Sequence, residues 1–195
     1  ALPGVHDDAP VDAGHAPSDG GSCFTLAGLR QYQVEMSFML AVQDIDLPAL
    51  DAWVRQHTFS GAARPPLLPG QLNGMLKGFI DLVFEHEGRF YVLDYKSNWL
   101  GASDEAYRDE TMQAAVLAHR YELQYLFYLL ALHRLLKVRL PDYDYDRHVG
   151  GALYLFLRGS GAPSRGVFAA RPPRAVIEAL DAAFAGQRPL GADKP

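Results

Sequence analysis

The stretch GFIDLVFEHEGRFYVLDYKSN, residues 78–98, decides how this chain is read. It holds two apolar runs on either side of Glu87-Gly88, a pair suited to a tight turn, and so predicts a β-hairpin. Asp81 interrupts the first run, and Asp94-Tyr95-Lys96 ends the second. Successive strand side chains alternate between faces, so Asp94 and Lys96 share one face and Tyr95 takes the other. Pairing the strands brings Asp81 toward both. A carboxylate on an apolar strand must be paired, metal-bound or at an exposed end, because burying it alone is costly. For Asp81 alone, a salt bridge to Lys96 or Lys77 accounts for it as well as a metal does. Two carboxylates and one ammonium at adjacent strand ends form a more specific set, suited to a divalent metal and phosphate chemistry.

Working outward, Tyr32 to Val42 alternates like a strand, and Leu47 to Thr58 reads as a short helix with Pro48 near its start. Residues 59–73, with Gly, three prolines and Asn, read as a loop. A helical region follows Gly101 with Ser103 as its N-cap, and a long helix runs to about Val138 on a stripe of Leu123, Leu126, Phe127, Leu130 and Leu135. GALYLFLR, residues 151–158, reads as a strand buried on both faces, with a weaker strand near Val167. Pro172-Pro173 opens a last helix from Arg174 to about Phe184. This order predicts an α/β domain built on a mixed central β-sheet flanked by helices. Residues 1–22 read as a poorly ordered lead-in, 23–188 as the domain and 189–195 as a tail.

Composition narrows the function classes. With 195 residues the chain can bury one real core, and no apolar run is long enough to span a membrane. A net charge of −5 argues against a passive nucleic-acid binder but not against an enzyme whose acidic site is neutralised by metal. A single cysteine, Cys23, and no visible secretory signal lead to the expectation of a reducing, cytoplasmic setting. The start at Ala1 leads to the expectation of a piece of a longer protein. No phosphate-binding G-x-x-x-x-G-K-[ST] loop, zinc spacing or nucleophile elbow is present. His86 is expected to be solvated, and His119 and His133 to lie on the surface or face DNA.

Three segments in the same order resemble one family: LKGFIDLVFEHEGRFYVLDYKSNWLG (76–101), HRYELQYLFYLLALHRLL (119–136) and YDYDRHVGGALYLFLRG (143–159). They are similar to the C-terminal nuclease domains of RecB-type helicase–nucleases, within the PD-(D/E)xK, restriction-endonuclease-like superfamily. The resemblance covers about residues 30–186. It implies a DNA nuclease that uses Mg²⁺ (with Mn²⁺ or Ca²⁺ able to take the site) in double-strand break repair and recombination. It implies Asp81, Asp94 and the Tyr95 backbone carbonyl as metal ligands, and Lys96 as the residue that positions or activates water. Gln124 and Tyr128 match the family's Gln-x-x-x-Tyr helix motif. Glu35 stands where the family carries a strand glutamate, which either reaches the metal or is an ordinary exposed residue. Ser97 and Asn98 either bond a DNA phosphate or hold the turn geometry, Arg120 is a candidate DNA contact, and Trp99 either stacks on a base or caps the core.

The resemblance also implies RecC- and RecD-type partner subunits and a RecA-type recombinase. It further implies a histidine ligand on an upstream helix, for which only His6 and His15, in Pro/Gly-rich sequence, are candidates. A weak nuclease is therefore the expectation for the isolated chain. A non-catalytic docking module with the same fold is the competing reading, with the last helix and residues 142–146 as its surfaces.

Overall fold

The computed structural model describes residues 25–190. Five strands form one sheet in sequence order: β1 (Gln31–Asp46), β2 (Gln71–His86), β3 (Arg89–Lys96), β4 (Val149–Phe156) and β5 (Val167–Ala170). All neighbours are antiparallel except β3 and β4, so the sheet is mixed. A parallel pair needs a long crossover. Here the crossover carries α2 (Asp109–Ala118), α3 (Tyr121–Arg139) and the single turn α4 (Tyr145–His148). Helix α1 (Leu47–His57) joins β1 to β2, and α5 (Arg174–Phe184) follows β5.

The predicted hairpin is present, and its turn follows from its residues. Glu87 and Gly88 both take positive φ (51° and 77°), the primed geometry that matches strand twist. The first hairpin strand is longer than its sequence pattern indicated. It starts at Gln71 and pairs along nearly all of β1, whose register slips between Val42 and Ile45. Asp46 ends β1 and caps α1, its carboxylate accepting from Ala49 N at 2.8 Å.

The main core lies between the sheet and the helices, with Leu126, Leu129, Leu130 and Leu132 of α3 against Val92, Tyr154 and Phe156 of the sheet. A smaller core of Leu82, Phe84, Leu93, Leu153, Leu155 and Val167 is covered by Leu26 and Leu29. Ile80 and Val83 belong to the main core but Leu82 to the smaller one, so the inward alternation of β2 changes phase around Asp81.

Several expectations are corrected. Ser103 precedes a 3₁₀ turn, Asp104–Tyr107, and its side chain makes no capping bond. The helical region is broken at Arg120, which takes a left-handed φ of 57° without a glycine or proline to announce it. The strand predicted at 151–158 begins at Val149 and ends at Phe156, where a 3₁₀ turn takes over. Helix α3 is buried around most of its girth rather than along one stripe. Tyr145, in the segment offered as a docking surface, is buried and donates its hydroxyl to Pro172 O at 2.9 Å.

His133 is also buried, at 2% exposure, rather than on the surface. Its Nδ1 lies 2.7 Å from the Tyr143 hydroxyl, and its Nε2 lacks a hydrogen-bond partner among the described residues. Burial, assisted by Lys137, holds its pKa below the usual histidine value against the opposing pull of Asp181 and Glu178. A depressed folded pKa means the unfolded chain takes the proton more readily. Stability is then fully present above about pH 6.5 and is lost as pH falls through the folded value. The unfolding free energy read from urea curves should therefore fall between neutral pH and pH 5, by up to about 1.4 kcal/mol per pH unit for this proton. The fall should be smaller in His133→Gln. An identical fall in that variant would remove His133 as the cause.

Candidate active site

The sheet delivers three charged groups to the end of the hairpin. The β2–β3 ladder runs Val83↔Val92 and Leu82↔Leu93, which sets Asp81 one step further on, opposite Asp94. Asp81 Oδ2 accepts from Tyr95 N at 2.9 Å, tying its carboxylate to the backbone between Asp94 and Lys96. Asp94 and Lys96 stand beside Tyr154 and Phe156 of β4 and are each only 6% exposed. Lys96 Nζ lies 2.7 Å from Asp94 Oδ2.

Helix α3 closes the cluster from above the sheet. Gln124 and Tyr128, four residues apart, share a helix face. Lys96 Nζ donates to Gln124 Oε1 at 2.7 Å. Gln124 Nε2 donates to the Tyr128 hydroxyl at 2.8 Å and to Asp94 Oδ1 at 3.2 Å. The Tyr128 hydroxyl donates to the same Asp94 oxygen at 3.2 Å. This fixes the sense of the amide: its oxygen faces the ammonium and its nitrogen the carboxylate, and the reverse would set like against like.

The electrostatics of the cluster favour an added cation. Burial raises the Asp94 pKa above the usual carboxylate value, against the lowering pull of Lys96 and Tyr128, and repulsion from Asp81 adds to the rise. Burial, then the Asp94 charge, holds the Tyr128 hydroxyl well above the ordinary tyrosine value, so it remains a neutral donor. The oxygen-only donor set of Asp81, Asp94 and the Tyr95 carbonyl suits Mg²⁺, which uses one or two carboxylates and keeps several waters. No group of three His, Cys, Asp or Glu among the described residues is gathered closely enough to hold a metal by side chains alone.

The remaining candidates fall in different places. Glu35 lies between the pairs Val34↔Leu82 and Met36↔Ile80, in the row of Asp81. Its φ of 51° leaves the extended conformation, and its side chain is exposed. The Tyr95 side chain is 39% exposed. Ser97 O accepts from Arg158 Nε at 3.0 Å. Asn98 contacts His119 Nε2 at 3.2 Å and accepts from the Tyr121 hydroxyl at 3.3 Å. Trp99 is 67% exposed and does not cap the core. Arg120 is corrected as a DNA contact. Its guanidinium is taken up by Asp51 (2.7 Å), Glu122 (2.6 Å) and Pro65 O (2.7 Å). His6 and His15 lie outside the described residues. Two residues of the site escaped the sequence reading: Tyr121 and Tyr154, whose rings face Lys96. Tyr121 sits three positions before Gln124, a helix-face spacing that was available as a signal.

Comparison with known proteins shows the family. The family model of the PD-(D/E)XK nuclease superfamily matches residues 25–189. The RecBCD enzyme subunit RecB of Escherichia coli K12 is 49% identical over 172 residues, 87% of this chain and 15% of the relative. Its counterpart in Haemophilus influenzae is 43% identical over 174 residues, 87% of this chain and 14% of the relative. That of Mycobacterium tuberculosis H37Rv is 44% identical over 119 residues, 56% of this chain and 11% of the relative. The chain thus spans 15% or less of the length of these curated relatives. Family match, mixed sheet and hairpin-end cluster lead to one conclusion: the chain belongs to the PD-(D/E)xK nuclease superfamily, as a RecB-type nuclease domain.

Proposed function

We propose that this domain hydrolyses DNA phosphodiester bonds with Mg²⁺ held by Asp81, Asp94 and the Tyr95 carbonyl. The observation that carries the proposal is the closed set of bonds joining Asp94, Lys96, Gln124 and Tyr128 beside the Asp81 carboxylate. When bound, Mg²⁺ polarises the phosphate and lowers the pKa of a coordinated water. Lys96 offsets charge on the phosphate and orients the attacking water. Gln124 keeps the Lys96 and Asp94 head groups in register. Tyr128, as a neutral donor, steadies the Asp94 carboxylate. An ammonium suits the lysine role as a compact point charge.

The relatives are named as subunits of the RecBCD enzyme. Carried over to this chain, that name supports a place in a helicase–nuclease acting in double-strand break repair and recombination. RecC- and RecD-type subunits and a RecA-type recombinase would be its partners. A cytoplasmic setting accords with this, and no helix among the described residues is long and apolar enough to cross a membrane. A docking role has one observation in its favour: Met39, Met75 and Phe79 of the β1–β2 arm are more than half exposed.

The test is cleavage of end-labelled linear DNA by the chain. Slow cleavage is expected with Mg²⁺, none with EDTA, and recovery when Mg²⁺ or Mn²⁺ is restored. Cleavage that persists in EDTA, or none with either metal, would count for the docking reading.

A further inference from the structure

The Lys96 ammonium is enclosed on more sides than its two hydrogen bonds explain. Besides Asp94 and Gln124, it stands 3.8 Å from the ring centroid of Tyr121 and 4.5 Å from that of Tyr154. Both distances fall inside the range in which a cation is attracted to a ring face. With Lys96 only 6% exposed, water does little to screen that attraction.

The two rings are themselves fixed. Tyr154 is 1% exposed, and its hydroxyl donates to the Tyr121 carbonyl at 2.6 Å. The Tyr121 hydroxyl donates to Asn98 Oδ1, and its ring stacks on His119 with centroids 5.2 Å apart and planes at 19°. The backbone just before Tyr121 is the left-handed Arg120, a conformation that non-glycine residues avoid. Arg120 is held there by Asp51, Glu122 and the Pro65 carbonyl. A disfavoured joint, pinned by a buried ionic knot, therefore sets the Tyr121 ring against the lysine.

We propose that Tyr121 is a positioning residue: its ring face, locked by Tyr154, Asn98 and His119, holds the Lys96 ammonium in place for the substrate phosphate. Two of the three ammonium N–H groups are committed to Asp94 and Gln124, which leaves the third for a substrate or water oxygen. The ring supplies attraction without competing for that proton. The function assigned to Lys96 rests on the nuclease reading above, whereas the cradle itself does not.

Two measurements on the whole chain separate these levels. In the metal-free protein, ring currents should shift the Lys96 ε-methylene protons upfield of free lysine. Tyr121→Phe should keep the shift, and Tyr121→Leu should lose most of it. In the cleavage assay, Tyr121→Leu should lower kcat about tenfold with KM nearly unchanged, while Tyr121→Phe restores kcat to within about threefold of the parent. A parent protein with no upfield shift, or Tyr121→Leu with the parent's kcat, would overturn the proposal. If the parent cleaves nothing, the nuclease reading falls, and the resonance shifts still decide whether the cradle exists.

Discussion

Replacing Asp94 with asparagine is expected to reduce Mg²⁺-dependent DNA cleavage to background, a loss on the order of a thousandfold, while the chain stays folded. The loss follows from removing one anionic ligand and, with it, the Lewis acid. The retained fold follows from the cluster. Asparagine keeps the volume of the side chain and one acceptor oxygen, which can stand where Gln124 and Tyr128 donate, while Lys96 keeps its bond to Gln124. Burial and repulsion from Asp81 both disfavour the Asp94 charge, which offsets part of the cost of taking the counter-charge from Lys96 in the metal-free protein. Alanine is the poorer test, because both variants take the counter-charge from Lys96 but alanine also leaves Gln124 and Tyr128 without their acceptor. Cleavage and far-ultraviolet circular dichroism together read the outcome. Cleavage by Asp94→Asn at the parent's rate would remove Asp94 from the site.

The largest expected effect on stability lies away from the chemistry. Glu122 is fully buried, and its Oε1 accepts from Arg64 Nη1 at 3.3 Å and Arg120 Nε at 2.6 Å. Arg64 in turn donates to Thr58 O and Phe59 O, closing the loop after α1. Glu122→Ala should destabilise the chain by about 3–5 kcal/mol, the usual cost of stranding a buried charge. Against a total of roughly 5–15 kcal/mol for a domain, that leaves a marginal fold. Glu122→Gln should cost less, since it keeps an acceptor oxygen for both guanidinium groups. Urea unfolding decides the matter, and a change below about 1 kcal/mol for the alanine variant would show that the knot relaxes instead.

What the sequence made legible follows from short-range rules. The hairpin was readable because period-2 alternation and a Glu-Gly turn act within a few residues. The same period placed Asp94 and Lys96 on one face, and the i,i+4 spacing placed Gln124 over Tyr128. What stayed hidden depends on long-range partners. Arg64 and Glu122 are 58 residues apart, and neither carries a local sign that it is buried. His133 looked like a surface residue because α3 is wrapped on most sides, so polarity no longer marks its solvent face. Arg120 looked like a DNA contact because nothing nearby in sequence names Asp51 as its partner. The left-handed backbone of Glu35 stayed hidden as well, because no glycine marks it.

The most direct measurement of the central claim is the position of Mn²⁺ in crystals of this chain, read from anomalous scattering. The account predicts an ion bonded to one oxygen each of Asp81 and Asp94 and to the Tyr95 carbonyl, at about 2.0–2.2 Å from each, the distance a small hard cation takes to oxygen ligands. It also predicts that the peak vanishes in Asp94→Asn. A saturating soak that leaves this cluster without an ion, or that places one beyond reach of both carboxylates, would contradict it.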